Sequence, residues 1–261
     1  MDTSKLSHFC ADREKLQKDI TENLQNDARV VASWLFGSLG RGQADELSDI
    51  DIWVVVADDH IQDVVTHRQQ FVSQVKQPIF YVEAPQNAPE AGGYLMAYYD
   101  MATGPHQVDW YWQPQSLAHI PLETMVLFDH VHLPHNNQPV KFPHREPVEE
   151  FAETPLHFIS YFWAMLLITA KYAIRKPQAE EMDLLPYVLY PYHKAQGILG
   201  EAPASVQMPQ RTAREKLAVL RRLADEMSAL MPRIAASGSA IPAEAPAAAY
   251  KFLDLLEEVY R

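Results

Sequence analysis

Ser48-Asp49-Ile50-Asp51-Ile52-Trp53-Val54-Val55-Val56 alternates polar and apolar residues and then turns wholly apolar. Successive side chains of a strand point to opposite faces, so Asp49 and Asp51 share one face while Ile50, Ile52, Val54 and Val56 share the other. The β-branched content predicts a strand over 49–56. Two ionised carboxylates about 7 Å apart along a strand repel each other and add nothing to a fold. A divalent cation reverses the sign of that interaction. The plainer explanation of an isolated Asp-x-Asp is a solvated strand start, so its meaning depends on its surroundings.

Two neighbouring stretches favour a site. Upstream, the apolar run Val30 to Phe36 reads as a strand that ends on Gly37-Ser38. Glycine permits close backbone approach, and amide groups with a serine hydroxyl can hold phosphate oxygens. Downstream, in Gln107-Val108-Asp109-Trp110-Tyr111-Trp112, Asp109 shares a face with Gln107 and Tyr111. An aspartate inside an aromatic strand is costly to bury unless something compensates it, and an adjacent metal site would. Tyr98, Tyr99, Trp110, Tyr111 and Trp112 themselves read as sheet core.

Working outward, Leu16, Ile20 and Leu24 predict a helix over 11–27. Residues 40–46 read as a loop, 61–75 as a helix, 79–83 as a strand, and 85–93 as a Pro/Asn/Gly loop. The runs 94–99 and 107–112 flank Thr103-Gly104-Pro105 and predict an antiparallel pair. From Pro134 to Pro155 the chain reads as a linker. Helical patterns follow over 151–175, with Pro155 near the start, and over 180–199, 211–234 and 247–261. The expected architecture is α+β: a domain over 1–140 with a mixed sheet and flanking helices, then a helical bundle over 146–261.

The 261 residues are 48% hydrophobic, enough for a packed core, and carry a formal net charge of -12. That charge opposes binding of long nucleic acid and suits a small cationic substrate. The single cysteine, Cys10, excludes an internal disulfide and reads as structural or surface. The N-terminus lacks the apolar run of a signal peptide, and the apolar stretch Phe158–Ala170 is too short to span a bilayer. A cytoplasmic protein without a membrane partner is expected. His130, His132, His135 and His144 are too irregularly spaced for a zinc site.

Phe36-Gly37-Ser38-Leu39-Gly40-Arg41 followed by Ser48-Asp49-Ile50-Asp51 resembles the signature of the polymerase β-like nucleotidyltransferases. The layout is similar to that of aminoglycoside (kanamycin-type) and lincosamide nucleotidyltransferases. The resemblance implies an N-terminal nucleotidyltransferase catalytic domain, with Asp49, Asp51 and Asp109 as ligands of two magnesium ions. It also implies triphosphate contacts at Gly37 and Ser38, with ATP as the nucleotide donor. By the same resemblance, Lys171 on the helical half is a candidate for the nucleotide phosphates. A snorkelling helix-end lysine is its plainer explanation. The chain departs from the kanamycin-type pattern in one place: no glutamate stands in the middle of 158–171 to match the catalytic base.

Further candidates come from position alone. Arg41, after the phosphate loop, can neutralise triphosphate charge or simply be solvated. Glu83, at a strand end, can accept the acceptor hydroxyl's proton. Glu180, Glu181 and Asp183 suit either a helix start or the amines of an acceptor, whereas His193 reads as packing or surface. The leading expectation is a magnesium-dependent enzyme that transfers a nucleoside monophosphate, AMP from ATP first, to a hydroxyl of a small molecule such as an aminoglycoside-like antibiotic. The alternatives are a non-catalytic nucleotide-binding regulatory protein and nucleotidylation of a protein acceptor. The oligomeric state is open, a homodimer being one option.

Overall fold

A computed structural model describes residues 3–140, 154–176, 184–203, 205–207 and 212–260. Contacts divide the chain into two compact units. One comprises Phe9–Tyr99 and His106–Phe151; the other comprises Met1–His8, Asp100–Pro105 and Ala152–Arg261.

Helix α1 (Thr3–Asn26) opens the chain, and its expected stripe Leu16, Ile20 and Leu24 is buried. It is followed by β1 (Val30–Leu35), the single turn α2 (Gly37–Gly40) and β2 (Ile50–Val56). The helix expected over 61–75 is two, α3 (Ile61–Thr66) and α4 (Arg68–Ser73), because His67 between them leaves helical geometry at φ -105°, ψ 27°. Then come β3 (Phe80–Val82), the long strands β4 (Gly93–Met101) and β5 (Gly104–Pro114), β6 (Ile120–Leu122), β7 (Met125–Asp129) and β8 (His135–Pro139).

Six strands form one mixed sheet in the order β3-β4-β5-β2-β1-β7. β2 lies antiparallel to β1 and parallel to β5, and β7 extends the sheet beyond β1. One face of the central strands is wholly apolar. Ile50, Ile52, Val54, Val56, Val108, Trp110 and Trp112 are buried there, and Phe71 of α4 meets the Trp110 and Trp112 rings edge-on at 6.3 and 5.9 Å. The stretch read as a linker from Pro134 is ordered over 135–139, where β8 pairs in parallel with β6. Those residues lack β propensity and are held by pairing rather than by their side chains.

The second unit is helical: α5 (Pro155–Arg175), α6 (Leu185–Ile198), α7 (Ala213–Ala236) and α8 (Ala245–Val259). Thr154 caps α5 by accepting from the His157 amide, with Pro155 in the first turn as expected. Thr212 caps α7 in the same way, accepting from the Glu215 amide. α5 packs on α6, α7 and α8. Among the described residues, α5 alone is long and apolar enough, by length and composition, to cross a membrane. Most of its side chains are buried inside the unit, as in a core helix. Glu180, Glu181, Asp183 and His144 lie outside the described residues.

Candidate active site

β1 ends at Leu35, and the Phe36 amide donates to the Asp51 carbonyl at 3.1 Å, tying the following turn to β2 at the level of Asp51. Gly37 then takes φ +63°, a conformation that L side chains rarely adopt. A Cβ placed on it would stand 2.0 Å from Asp51 Oδ2 and 2.9 Å from its Cγ. The Asp51 carboxylate therefore lies directly against the Gly37 backbone, and any side chain there would displace it. Ser38 follows, half-buried, within α2. Arg41 is exposed, its Nε donating to Gln43 Oε1 at 3.3 Å.

Asp51 is level with Asp109 across the parallel β2–β5 pair, so the two carboxylates share a face of adjacent strands. One step further along, Trp53 is level with Tyr111 and their rings stack at 5.4 Å. Asp109 is buried at 6% exposure. Its Oδ1 accepts from Tyr94 Oη at 2.5 Å and its Oδ2 from Gln107 Nε2 at 2.6 Å, while Tyr98 Oη donates to Gln107 Oε1 at 3.0 Å. This chain of donors fixes the Asp109 carboxylate in one orientation.

Asp49 immediately precedes β2 and is half-buried. The loop that delivers it closes on itself: Ser48 Oγ donates to Asp45 Oδ1 at 2.8 Å and accepts from the Asp45 amide at 3.0 Å. All three carboxylates act on one phenol. Burial first, then the charges of Asp109, Asp51 and Asp49, push Tyr111 far above the ordinary phenol range. Burial and the Asp109 charge likewise raise Tyr94, and burial with Asp109 and Asp49 raises Tyr98. These phenols remain protonated donors at any physiological pH.

The structure does not bring Glu83 to this group. Val82 is level with Met96, which is two residues from Tyr94 and so shares the carboxylate face; the next residue, Glu83, belongs to the opposite face. There Arg68 Nε donates to Glu83 Oε2 at 2.8 Å and Gln69 Nε2 to Oε1 at 3.0 Å. A carboxylate held by a guanidinium on the far side of the sheet is not placed to take a proton at Asp51. Lys171 is a buried residue of α5 in the helical unit.

Tyr94 and the bridging role of Gln107 escaped the sequence reading. The alternation in 107–109 puts Gln107 beside Asp109, but Tyr94 reaches Asp109 only through the pairing of β4 with β5. Among the described residues, no three acidic, histidine or cysteine side chains are already closed into a metal cage. The chemistry of the set is nevertheless that of a hard cation: three carboxylates, all oxygen donors, on one patch of sheet.

Residues 18–90 match the family model described as Polymerase beta, Nucleotidyltransferase. The matched stretch holds Gly37, Ser38, Asp49 and Asp51 and ends before Asp109. The mixed sheet followed by helices accords with this nucleotidyltransferase domain. No curated protein matches the chain. Among solved structures, a STING-associated CdnE c-di-GMP synthase from Capnocytophaga granulosa aligns over 97% of this chain and 81% of its own, at 9% identity and a TM-score of 0.31. A likeness that low carries no weight for fold or function.

Proposed function

We propose that the protein is a nucleotidyltransferase that transfers a nucleoside monophosphate, AMP from ATP first, to a hydroxyl group of a small acceptor. The observation that supports this reading most is the contact of the Asp51 carboxylate with the Gly37 backbone while Asp51 stands level with Asp109. A phosphate-binding turn and a carboxylate pair meet there at one point of the sheet.

In this reading Gly37 and Ser38 hold the triphosphate, and Arg41, free to swing from Gln43, neutralises part of its charge. Asp49, Asp51 and Asp109 would hold magnesium, which when bound offsets the phosphate charge and favours ionisation of the attacking hydroxyl. Tyr94 and Gln107 keep Asp109 oriented. The acceptor oxygen forms a bond to the α-phosphorus as the bond to pyrophosphate breaks, and the hydroxyl proton passes to solvent or to a carboxylate of the patch. A cationic acceptor of aminoglycoside type agrees with the net charge of -12.

The test is magnesium-dependent pyrophosphate release from each of the four ribonucleoside triphosphates, with aminoglycosides and lincosamides offered as acceptors. Acceptor-dependent release with ATP supports the full reading. Tight magnesium-ATP binding without any release, whatever the acceptor, would instead favour a nucleotide-binding protein without turnover.

A further inference from the structure

We propose that Arg13 is a positioning residue for the transfer site: its guanidinium bridges the two ends of the Asp45–Ser48 loop and so fixes where Asp49 enters β2. This rests on the nucleotidyltransferase reading above. Arg13 belongs to α1, yet only 5% of it is exposed. Its Nη1 donates to the Asp45 carbonyl at 2.6 Å and to the Ser48 carbonyl at 3.1 Å. The Ser48 carbonyl is part of the peptide plane that joins Ser48 to Asp49. A hydrogen bond on that oxygen restrains the rotation that aims the Asp49 side chain.

The restraint complements the loop's own closure. Ser48 Oγ and Asp45 bond reciprocally, which shapes the turn. Arg13 ties that turn to a helix whose apolar stripe is fixed in the core. Nη2 donates to Cys10 Sγ at 3.1 Å, one helical turn back, which holds the planar group in orientation. Nε is buried without a hydrogen-bond partner among the described residues. Replacing buried charged groups by apolar residues of similar volume is often neutral or stabilising. The geometry of Arg13 is better accounted for by the loop it holds than by the core it sits in. The network also gives Cys10 a supporting part, with burial keeping its thiol in the protonated form.

The experiment compares wild type with Arg13→Met, which keeps volume and removes every donor, and with Arg13→Lys, which keeps charge but loses the fork. The proposal expects faster amide hydrogen exchange over residues 45–50 in Arg13→Met, with the core of β5 unchanged. It expects the magnesium concentration for half-maximal turnover to rise about 10-fold, with most of kcat recovered at saturating magnesium, and Arg13→Lys to lie between. Should Arg13→Met not fold, Arg13→Lys carries both readouts. Unchanged loop exchange together with an unchanged magnesium requirement overturns the proposal. A wild-type protein with no magnesium-dependent turnover against any acceptor sinks the transfer reading itself, a result visible before any Arg13 variant is made.

Discussion

The two faces of β2 and β5 are built from the same strands, residue by residue, and serve opposite ends. On one face Ile50, Ile52, Val54, Val108, Trp110 and Trp112 are fully buried, the two tryptophans against Phe71 of α4. On the other, Asp51 and Asp109 stand level with each other against the Gly37 turn. The apolar face gains free energy from every side chain it hides. The carboxylate face gains nothing from the like charges it assembles, and its Asp109 needs Tyr94 and Gln107 to be tolerated at all. Alternation of side chains lets one pair of strands hold a wholly apolar surface and a carboxylate pair a single residue apart, the pair set beside the buried Trp53, Val55 and Tyr111. The comparison predicts that damage to the apolar face appears as lost stability and damage to the carboxylates as lost chemistry.

The largest separation of the two should come at Gly37. A Cβ there meets Asp51 Oδ2 at 2.0 Å on a backbone with φ +63°. Gly37→Ala should therefore lower turnover by on the order of 100-fold or more through displacement of the carboxylate, measured as pyrophosphate release. A variant of normal activity would mean that Asp51 does not work where it stands. On the apolar face, Trp110→Ala should cost about 3–5 kcal/mol of stability, read from urea unfolding. Any loss of turnover should then track only the unfolded fraction.

Tyr94→Phe is a subtler probe, because it leaves the carboxylates in place and removes one donor to Asp109. The magnesium requirement should rise about 10–100-fold, the usual cost of losing an outer-shell partner of a ligand. The same tyrosine fixes the behaviour in alkali. Burial above all raises its folded-state pKa well above the ordinary phenol value of about 10. The neutral phenol's contribution to stability is thus intact below pH 10 and declines as pH climbs above it toward the raised value. Phenolate absorbance of the buried tyrosines should appear together with unfolding, not before it. The smallest effect belongs to Glu83→Gln: turnover unchanged, and stability lowered by about 1 kcal/mol at most, since its ion pair with Arg68 is only partly buried.

How much of this was legible in the sequence follows from which interactions are local. The faces of 49–56 and 107–112 depend only on alternation, and the structure agrees with them residue by residue. Gly37 could be singled out because glycine at the end of an apolar run permits close backbone approach; its positive φ is visible only in the structure. Tyr94 could not, since its bond to Asp109 depends on the pairing of two strands and not on either alone. Arg13 was equally hidden: in sequence it is one charge among many on a polar helix, and only the fold carries it to Asp45 and Ser48. Glu83 was misjudged for a geometric reason. Its strand runs in the sheet, but the residue after Val82 faces α4, where Arg68 and Gln69 wait for it. β8 went unseen because His135-Asn136-Asn137-Gln138-Pro139 has no side-chain signature of a strand.

The central claim is that Asp51 and Asp109 are gathered for chemistry and not for folding, and the direct test reads both quantities on the same samples. Thermal unfolding and magnesium-dependent pyrophosphate release should be measured for wild type, Asp51→Asn and Asp109→Asn. The account predicts that each substitution removes turnover while the unfolding midpoint without metal stays level or rises for Asp51→Asn, because a repulsive pair has been relieved. Turnover that survives both substitutions, or a midpoint for Asp51→Asn that collapses as far as that of Trp110→Ala, would contradict it.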